Sequence, residues 1–227
     1  MSRRAGDARR AGSGPAGDPA GPQDGYLADL TAAVLLGGGS TRMGRDKAWL
    51  ELGGEPLATR LARRLRPLCA EVLLVGGQPP PSAPGRRVPD PPGPRCALRG
   101  FVAAFGAAST DRVLVVATDL ALLGEELVLA LAARPPAEAV VPESGGRLHP
   151  TCAIYARDPA LEVARRQLGA GRLALRDLLA ELEVQVLPEA DLRWVDPEGR
   201  MLRNANTPEA WREIEALARA GGELGSG

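Results

Sequence analysis

Several features that mark common classes of binding protein are scarce or absent in this sequence of 227 residues. Neither charge sign is in excess, because 28 Lys and Arg side chains balance 28 Asp and Glu side chains. A large basic surface that binds nucleic acid through counterion release is therefore not expected. Aromatic residues make up 3% of the chain, which disfavours proteins that stack bases or sugars on aromatic rings. No apolar run approaches the roughly 18 to 20 residues that cross a bilayer, so no membrane contact is expected.

Cysteine is also scarce, with Cys69, Cys96 and Cys152 the only examples. An odd number without C-x-x-C spacing fits neither a disulfide framework nor a zinc site. A cysteine nucleophile would need the sole histidine, His149, as its base, and this requirement disfavours catalysis by a cysteine. We therefore expect a protein of a reducing compartment, the cytoplasm.

The two ends of the chain differ in composition from its centre. Residues 1–29 are almost entirely Gly, Pro, Ala, Arg and Asp, with too few bulky apolar side chains to offset the entropy lost on ordering. Paired arginines near the start are not followed by the apolar segment of a secretion signal. The sequence therefore predicts a disordered tail over 1–29, one domain over 30–220 and a flexible tail over 221–227.

The central region alternates short apolar runs with stretches of helical period. Strands are predicted over 31–36, 71–75, 112–117, 139–141, 151–155 and 184–187. Helices are predicted over 57–66, 98–108, 124–133, 159–168, 174–182 and 208–220. This alternation favours a single three-layer α/β domain with a mostly parallel sheet, whose ligand lies beyond the carboxyl ends of the strands. The proline-dense segment 78–94 is predicted to be a semi-rigid surface loop near that edge.

The strongest local signal directly follows the first predicted strand and reads LLGGGSTRMGRDK over 35–47. The glycines at 37–39 allow backbone N–H groups to approach a ligand closely, and Arg42 and Lys47 add cations suited to phosphate. A Walker loop is excluded because the lysine does not directly follow Gly44. A dinucleotide-binding fingerprint is excluded because arginine, not glycine, occupies position 42.

The longer run GGGSTRMGRDKAWLELGGEPL resembles the pattern L-A-G-G-x-S-x-R-M-G-x-D-K followed by G-x-P-L. That pattern is found in molybdenum cofactor guanylyltransferases and related nucleotidyltransferases, and the Asp46-Lys47 ending favours the guanylyl branch over the cytidylyl branch. Four further segments follow in the order seen in that family: Asp90 with Pro92-Gly93-Pro94, Ala117-Thr118-Asp119, His149-Pro150-Thr151 and Asn204-Ala205-Asn206-Thr207-Pro208-Glu209. The resemblance covers roughly residues 31–217 and implies a Rossmann-like nucleotidyltransferase fold.

The resemblance implies an enzyme that transfers GMP from GTP to the phosphate of the molybdopterin cofactor, with Mg²⁺ as its metal and pyrophosphate as the second product. Such a reaction brings two anions together, so positioning and electrostatic stabilisation dominate catalysis. Arg42 and Lys47 are expected to bind the triphosphate. Asp119 follows a predicted strand, where its carboxylate is suited to Mg²⁺. These three are the predicted catalytic residues, with Asp119 the metal ligand.

The resemblance also assigns residues to the two substrates. The expected nucleotide-binding residues are Leu35, Leu36, Gly37, Gly38, Lys47, Asp90 and Asp119. The expected acceptor-binding residues are His149, Asn204 and Asn206. Structural alternatives remain for four of these positions. Asp90 is also typical of a turn before proline, Asp119 of a helix cap, and the asparagines of the turn before a helix capped by Thr207.

Three departures from the family pattern keep other functions open. Leu36 replaces the alanine of L-A-G-G, the run 93–100 reads GPRCALRG in place of G-P-L-x-G, and 118–121 reads TDLA in place of C-D-x-P. One alternative is transfer of another nucleotide, such as CMP to the same cofactor or a nucleotidyl group to a phosphorylated sugar. Another is a non-catalytic adaptor that binds the nucleotide or cofactor. The expected partners are GTP, the molybdopterin cofactor, and molybdoenzymes or cofactor-insertion proteins.

Overall fold

The computed structural model describes residues 26–36 and 47–221. The strands within them are β1 (Leu27–Leu35), β2 (Glu51–Leu52), β3 (Glu55–Pro56), β4 (Cys69–Val75), β5 (Arg86–Val88), β6 (Arg112–Ala117), β7 (Ala139–Ser144), β8 (Arg147–Leu148), β9 (Cys152–Ala156) and β10 (Val184–Leu187). The helices are α1 (Leu57–Leu65), α2 (Ala97–Ala107), α3 (Glu125–Ala132), α4 (Arg157–Gly169), α5 (Leu175–Ala180), α6 (Glu189–Val195) and α7 (Pro208–Ala220). A short 3₁₀ turn, Lys47–Trp49, precedes β2.

The central sheet has the order β10-β7-β9-β6-β1-β4-β5, with β8 paired to β7. Strand β1 lies parallel to both β4 and β6, β5 is parallel to β4, and β10 is parallel to β7. Strand β9 is antiparallel to β6 and β7, because the segment joining β7 to β9 is too short for the crossover of about a dozen residues that a parallel return needs. The predicted α/β fold with a mostly parallel sheet is therefore confirmed.

Apolar side chains cover both faces of the sheet. Consecutive residues of β1 point to opposite faces, so that Ala32 and Val34 belong to one buried cluster and Ala33 and Leu35 to the other. Burial on both faces is typical of parallel strands flanked by helices. The core on each side therefore fixes the position at which β1 ends.

A third, smaller apolar cluster packs α7 against the β2–β3 hairpin and the segment after β6. Its buried members include Leu52, Ala121, Ala205 and Ile214. This packing holds the loop before α7 beside the segment that begins at Lys47. Two distant parts of the sequence are thereby brought to the same place.

The observed elements differ from the predicted ones in the proline-dense segment and at the amino end. The segment 78–94, predicted to be a loop, contains strand β5, which pairs with β4, and the amino end of β1 is extended. Strand β1 begins at Leu27 rather than at residue 31, and the Leu27 N–H donates to the Leu68 carbonyl at 2.7 Å. Part of the predicted tail is therefore paired with β4, because Leu27 packs against the apolar core. Residues 1–25 and 222–227 lie outside the described residues, so the tails and domain limits stay predictions. Within the described ranges, every helix is too short or too polar to cross a membrane.

Candidate active site

The carboxyl ends of three parallel strands lie together at one edge of the sheet. Leu35 at the end of β1 is in register with Val75 of β4 on one side and with Ala117 of β6 on the other. Ligands of open α/β sheets bind at such an edge. The segments that follow these strands carry most of the predicted site residues.

Lys47, Asp119 and Asn206 form the central cluster at this edge. The Lys47 Nζ lies 3.1 Å from Asp119 Oδ2 and also donates to Asn206 Oδ1. The Lys47 and Asp119 side chains are only 15% and 17% exposed, so the ion pair is shielded from bulk water but open to a ligand. The structure thus brings together a predicted cation, a predicted carboxylate and a predicted acceptor-side amide.

The backbone around Asp119 explains how its carboxylate is held. The Ala205 N–H donates to the Asp119 carbonyl at 3.0 Å, which ties the loop before α7 to the end of β6. Thr118 donates both its N–H, at 3.2 Å, and its hydroxyl to the Leu35 carbonyl, which ties the same segment to β1. Gly124, not Asp119, occupies the N-cap of α3. The helix-cap alternative for Asp119 is therefore wrong.

Asp119 Oδ1 is buried and has no hydrogen-bond partner among residues 26–36 and 47–221. A buried carboxylate oxygen without a partner is unfavourable unless a ligand supplies a donor or a cation. No group of three or more His, Cys, Asp or Glu side chains in 26–36 and 47–221 could hold a metal ion on its own. Mg²⁺ takes one or two protein carboxylates and completes its shell with phosphate and water, so the oxygen of Asp119 suits this ion.

Asp90 forms a second carboxylate site at the same edge. Its side chain lies against Gly76, where an added Cβ would be 2.8 Å from Asp90 Oδ2, and near Gly100, where an added Cβ would be 3.8 Å from Oδ1. Asp90 Oδ1 is buried, and none of the residues that the structure describes is its hydrogen-bond partner. Burial raises the pKa of Asp90, and the charges of Arg95 and Arg99 partly oppose that rise. Asp90 Oδ1 is therefore an acceptor that the described part of the chain leaves unsatisfied.

Leu35 and Leu36 are buried at the end of β1, with 7% and 2% of their surface exposed. The Leu36 N–H donates to the Val75 carbonyl at 2.8 Å, and the Leu35 carbonyl accepts from Thr118. Both side chains belong to the core and position the segment that follows. Gly37, Gly38 and Arg42 lie outside the described residues, so their roles stay predictions.

His149 belongs to the turn between β8 and β9. Its N–H donates to the Pro142 carbonyl and its carbonyl accepts from Cys152, both at 3.0 Å, and its Nε2 lies 2.8 Å from Ser144 Oγ. Burial lowers the pKa of His149, and hydrogen bonding with the Ser144 backbone opposes that shift. Among the described residues its contacts join β7 to β9, and the structure does not pair it with Lys47 or Asp119. Its predicted acceptor role has no support from these contacts.

The segment before α7 combines structural and site contacts. Thr207 is the N-cap of α7, since its hydroxyl accepts from the Ala210 N–H at 3.2 Å. The Asn204 carbonyl accepts from the Asn206 N–H at 3.0 Å, which makes Asn204 a turn residue. Only Asn206 directs its side chain to Lys47. The turn and the site are therefore built from alternate residues of one short segment.

Sequence reasoning missed Arg99 and the glycines that border Asp90. Arg99 Nε donates to the Pro94 carbonyl at 2.8 Å, and its Nη1 donates to the Pro92 carbonyl. The basic residues in the run 93–100 could have pointed to a role for Arg99. The glycine at position 76, directly after β4, could have indicated that another side chain approaches the backbone closely there. A further signal was overlooked at Lys47, which is the only lysine in the chain, every other basic residue being arginine.

Comparisons with known proteins show which family and which individual proteins the chain resembles. The MobA-like NTP transferase domain family matches residues 32–186. The chain is 35% identical to a protein named probable molybdenum cofactor guanylyltransferase from Chloroflexus aggregans, over 82% of this chain and 94% of that one. It is 34% identical to a protein of the same name from Mycobacterium avium, over 84% of this chain and 96% of that one.

A solved structure is similar in fold. Molybdopterin-guanine dinucleotide biosynthesis protein A from Archaeoglobus fulgidus superposes with a TM-score of 0.71 at 21% identity, covering 84% of this chain and 99% of that one. The family match includes β1, β4, β6 and the segments that carry Lys47, Asp90 and Asp119. The chain therefore belongs to the MobA-like NTP transferase domain family, together with the molybdenum cofactor guanylyltransferases.

Proposed function

We propose that the protein transfers GMP from GTP to the phosphate of the molybdopterin cofactor, forming the guanine dinucleotide cofactor and pyrophosphate. The observation that carries the proposal is the convergence of Lys47, Asp119 and Asn206 at the carboxyl edge of the sheet. The names of relatives that are 34% and 35% identical over most of their length support guanine as the base. Transfer of a nucleotidyl group to another acceptor would use the same three residues.

The chemistry requires an oxygen of the acceptor phosphate to attack the α-phosphorus of GTP. A new phosphorus–oxygen bond forms, the bond to pyrophosphate breaks, and the leaving group takes the electron pair. Negative charge therefore develops on the pyrophosphate side. Lys47, held by Asp119 and Asn206, offers a preorganised cation to that charge. Arg42 is proposed to share this task.

Asp119 is proposed to hold Mg²⁺ through Oδ1, while Oδ2 stays with Lys47. When bound, the ion would neutralise phosphate charge and orient the triphosphate. The two oxygens of one carboxylate would then serve different partners, so Lys47 and the metal need not compete. Asp119→Ala should accordingly remove both GTP turnover and Mg²⁺-dependent GTP binding.

The remaining predicted residues divide between the two substrates. Asp90 is proposed to accept a hydrogen bond from the nucleoside, and the glycines at 37 and 38 to approach the nucleotide with their backbone. Asn206, Asn204 and His149 are proposed to face the acceptor, with Asn206 best placed through its contact with Lys47. Molybdoenzymes or cofactor-insertion proteins are the proposed recipients of the product.

We also propose a cytoplasmic location. The three cysteines are not paired with one another. Burial raises the pKa of Cys69 and of Cys152 to about 12, so neither forms a thiolate at neutral pH. This agrees with a reducing compartment and disfavours nucleophilic roles for both thiols.

Pyrophosphate release measured with each of the four ribonucleoside triphosphates and the molybdopterin cofactor tests the proposal. We expect GTP to be used, and Lys47→Ala or Asp119→Ala to abolish turnover without lowering the melting temperature greatly. Asp158→Asn, which changes an exposed carboxylate, is the matched control and should keep full activity. Preference for CTP would contradict the assigned base, and GTP binding without turnover would favour the adaptor alternative.

A further inference from the structure

The connection between β5 and α2 carries Asp90 and then an exposed proline-rich turn. Pro92, Gly93, Pro94 and Arg95 are all exposed, and prolines cannot donate backbone hydrogen bonds that would fix such a segment. The carbonyls of the two prolines are nevertheless both paired. Their donor is one side chain from the first turn of α2, Arg99.

Arg99 and Gly93 fit one another closely. The guanidinium lies directly over Gly93, so that a Cβ added there would overlap it. Gly93 also has a φ of 128°, a conformation that side chains rarely adopt. The turn is therefore shaped around the guanidinium, which reaches two carbonyls with the fork geometry that arginine alone provides.

This turn follows Asp90 in the chain and is tied by Arg99 to the helix that faces the Asp90 carboxylate. Asp90 precedes the turn by two residues, and its Oδ1 faces Gly100, the residue directly after Arg99. Arg99 therefore links the chain on one side of the pocket to the helix that forms the other side. Asp90 Oδ1 itself has no partner within the described part of the chain, so the walls of the pocket set its position.

We propose that Arg99 is a positioning residue for the nucleotide. By holding the Pro92–Pro94 turn against α2, it fixes the Asp90 carboxylate so that Oδ1 accepts a hydrogen bond from the nucleoside of the bound triphosphate. The required ligand chemistry is an N–H or O–H donor, which the guanine edge or the ribose hydroxyls can supply. This inference rests on the proposed nucleotide site, but not on the identity of the acceptor.

Direct titration of the full-length protein with GTP and Mg²⁺, without any acceptor, tests the proposal independently of guanylyl transfer. We expect Arg99→Ala to weaken GTP binding about tenfold, or about 1.4 kcal/mol. Arg99→Lys keeps the charge but can reach fewer carbonyls, so it should recover only part of the affinity. Arg95→Ala removes a neighbouring charge from the same turn and is the matched control. Equal losses for Arg95→Ala and Arg99→Ala would show that charge alone matters and would overturn the proposal.

A double-mutant cycle tests whether Arg99 acts through Asp90. In an Asp90→Asn background, Arg99→Ala should cause little further loss of GTP affinity, since the carboxylate that it positions is gone. Additive losses would overturn the proposal, even if Arg99→Ala also lowers stability. Wild-type binding of GTP with no transfer to the cofactor would instead contradict the proposed reaction and leave this inference intact.

Nucleotide analogues identify the donor that Asp90 meets. The loss caused by Arg99→Ala should disappear with 2′,3′-dideoxy-GTP if the ribose hydroxyls supply the hydrogen bond. A loss that persists with this analogue assigns the donor to the guanine edge. Both results support a directional contact from Asp90, and they separate its two sources.

Discussion

Two carboxylates at the same edge of the sheet are held in different ways. Asp119 is paired with Lys47 and lies close to Asn206, so partners distant in the sequence fix one of its oxygens. Asp90 is held by the shape of its loop and by contact with Gly76. In each carboxylate, Oδ1 is buried and has no hydrogen-bond partner in the described part of the chain. The charge of Asp119 is thus compensated by a neighbouring lysine, whereas the charge of Asp90 is opposed by burial and only partly offset by Arg95 and Arg99.

The cation that pairs with Asp119 is also of a residue type that is rare in this chain. Lys47 is the only lysine among 28 basic residues. Arginine is bulkier and planar, and its guanidinium cannot occupy the same space as a compact ammonium group. A chain that uses arginine at every other basic position therefore keeps lysine where a point charge is needed between Asp119 and Asn206.

The largest expected effect comes from breaking this geometry while keeping the charge. Lys47→Arg should lower kcat by about 10²- to 10³-fold, the range for losing one preorganised donor at a transition state. Pyrophosphate release measures the change. Arg193→Lys, on an exposed face of α6, is the control and should leave kcat unaltered. Wild-type kcat in Lys47→Arg would mean that any cation suffices.

A sharper test of the comparison neutralises each carboxylate in turn. Asp90→Asn should weaken GTP binding about tenfold, since a charged acceptor is lost, yet raise the free energy of unfolding slightly, because burial disfavours the ionised form of this carboxyl and raises its pKa. Asp119→Asn should lower that free energy because Lys47 loses its ion pair. Urea denaturation of each variant without nucleotide measures both free energies of unfolding. Changes of the same sign would contradict the proposed difference between the two carboxylates.

The pH dependence of the same pair follows from the pKa of Asp90. Burial raises this pKa above its ordinary value of 3.8, so the folded protein holds the proton more tightly than the unfolded chain does. The wild type should therefore lose stability relative to Asp90→Asn as the pH rises from 3.8 through the folded-state pKa. If the difference in unfolding free energy between the two proteins stays constant over this pH range, the raised pKa of Asp90 is contradicted.

A smaller effect is expected at Asn206, which contributes one acceptor to Lys47. Asn206→Ala should lower kcat severalfold, in line with the roughly 0.5 to 1.5 kcal/mol of a single hydrogen bond. Thr207→Ala is the matched control, because it removes the cap of α7 without touching Lys47 and should act on stability alone. Equal effects of both changes on kcat would indicate that the loop, not the amide, is responsible.

The smallest effect concerns His149, whose contacts within the described residues join β7 to β9. Burial lowers its pKa below 6.5, so its contribution to stability should be complete above that pH and decline as the pH falls through the folded-state pKa. As the sole histidine, it gives one imidazole signal in a proton NMR titration. GTP should leave that pKa unchanged, and a shift caused by the acceptor would support the predicted acceptor role.

Much of the fold could be predicted because burial leaves a periodic signal. The bounds of β6, β10 and α7 match the prediction, since apolar runs and a Thr-Pro start define them. Helix α6 was missed because Leu192 is its only buried residue, so no apolar stripe marks it. The antiparallel direction of β9 was also missed, because a strand buried on both faces has the same apolar pattern in either direction.

The site was predictable to the extent that it depends on strand ends. Lys47 and Asp119 follow neighbouring parallel strands, so their approach follows from the expected fold. The role of Arg99 was not predictable, because it depends on the path of an irregular loop whose carbonyl positions no periodicity records. The Lys47 contact with Asn206 depends likewise on how α7 packs against the hairpin.

The solitary lysine also makes the ion pair accessible to selective chemistry. An amine-directed reagent has one internal target in this chain besides the terminal amine, and acylation there would erase the positive charge facing Asp119. If modification of Lys47 inactivates the protein, activity should fall in proportion to the fraction of molecules modified there. Saturating GTP should slow that loss, so the rate of inactivation would report how far the site is occupied. A protein with lysines scattered over its surface would not permit so direct a readout.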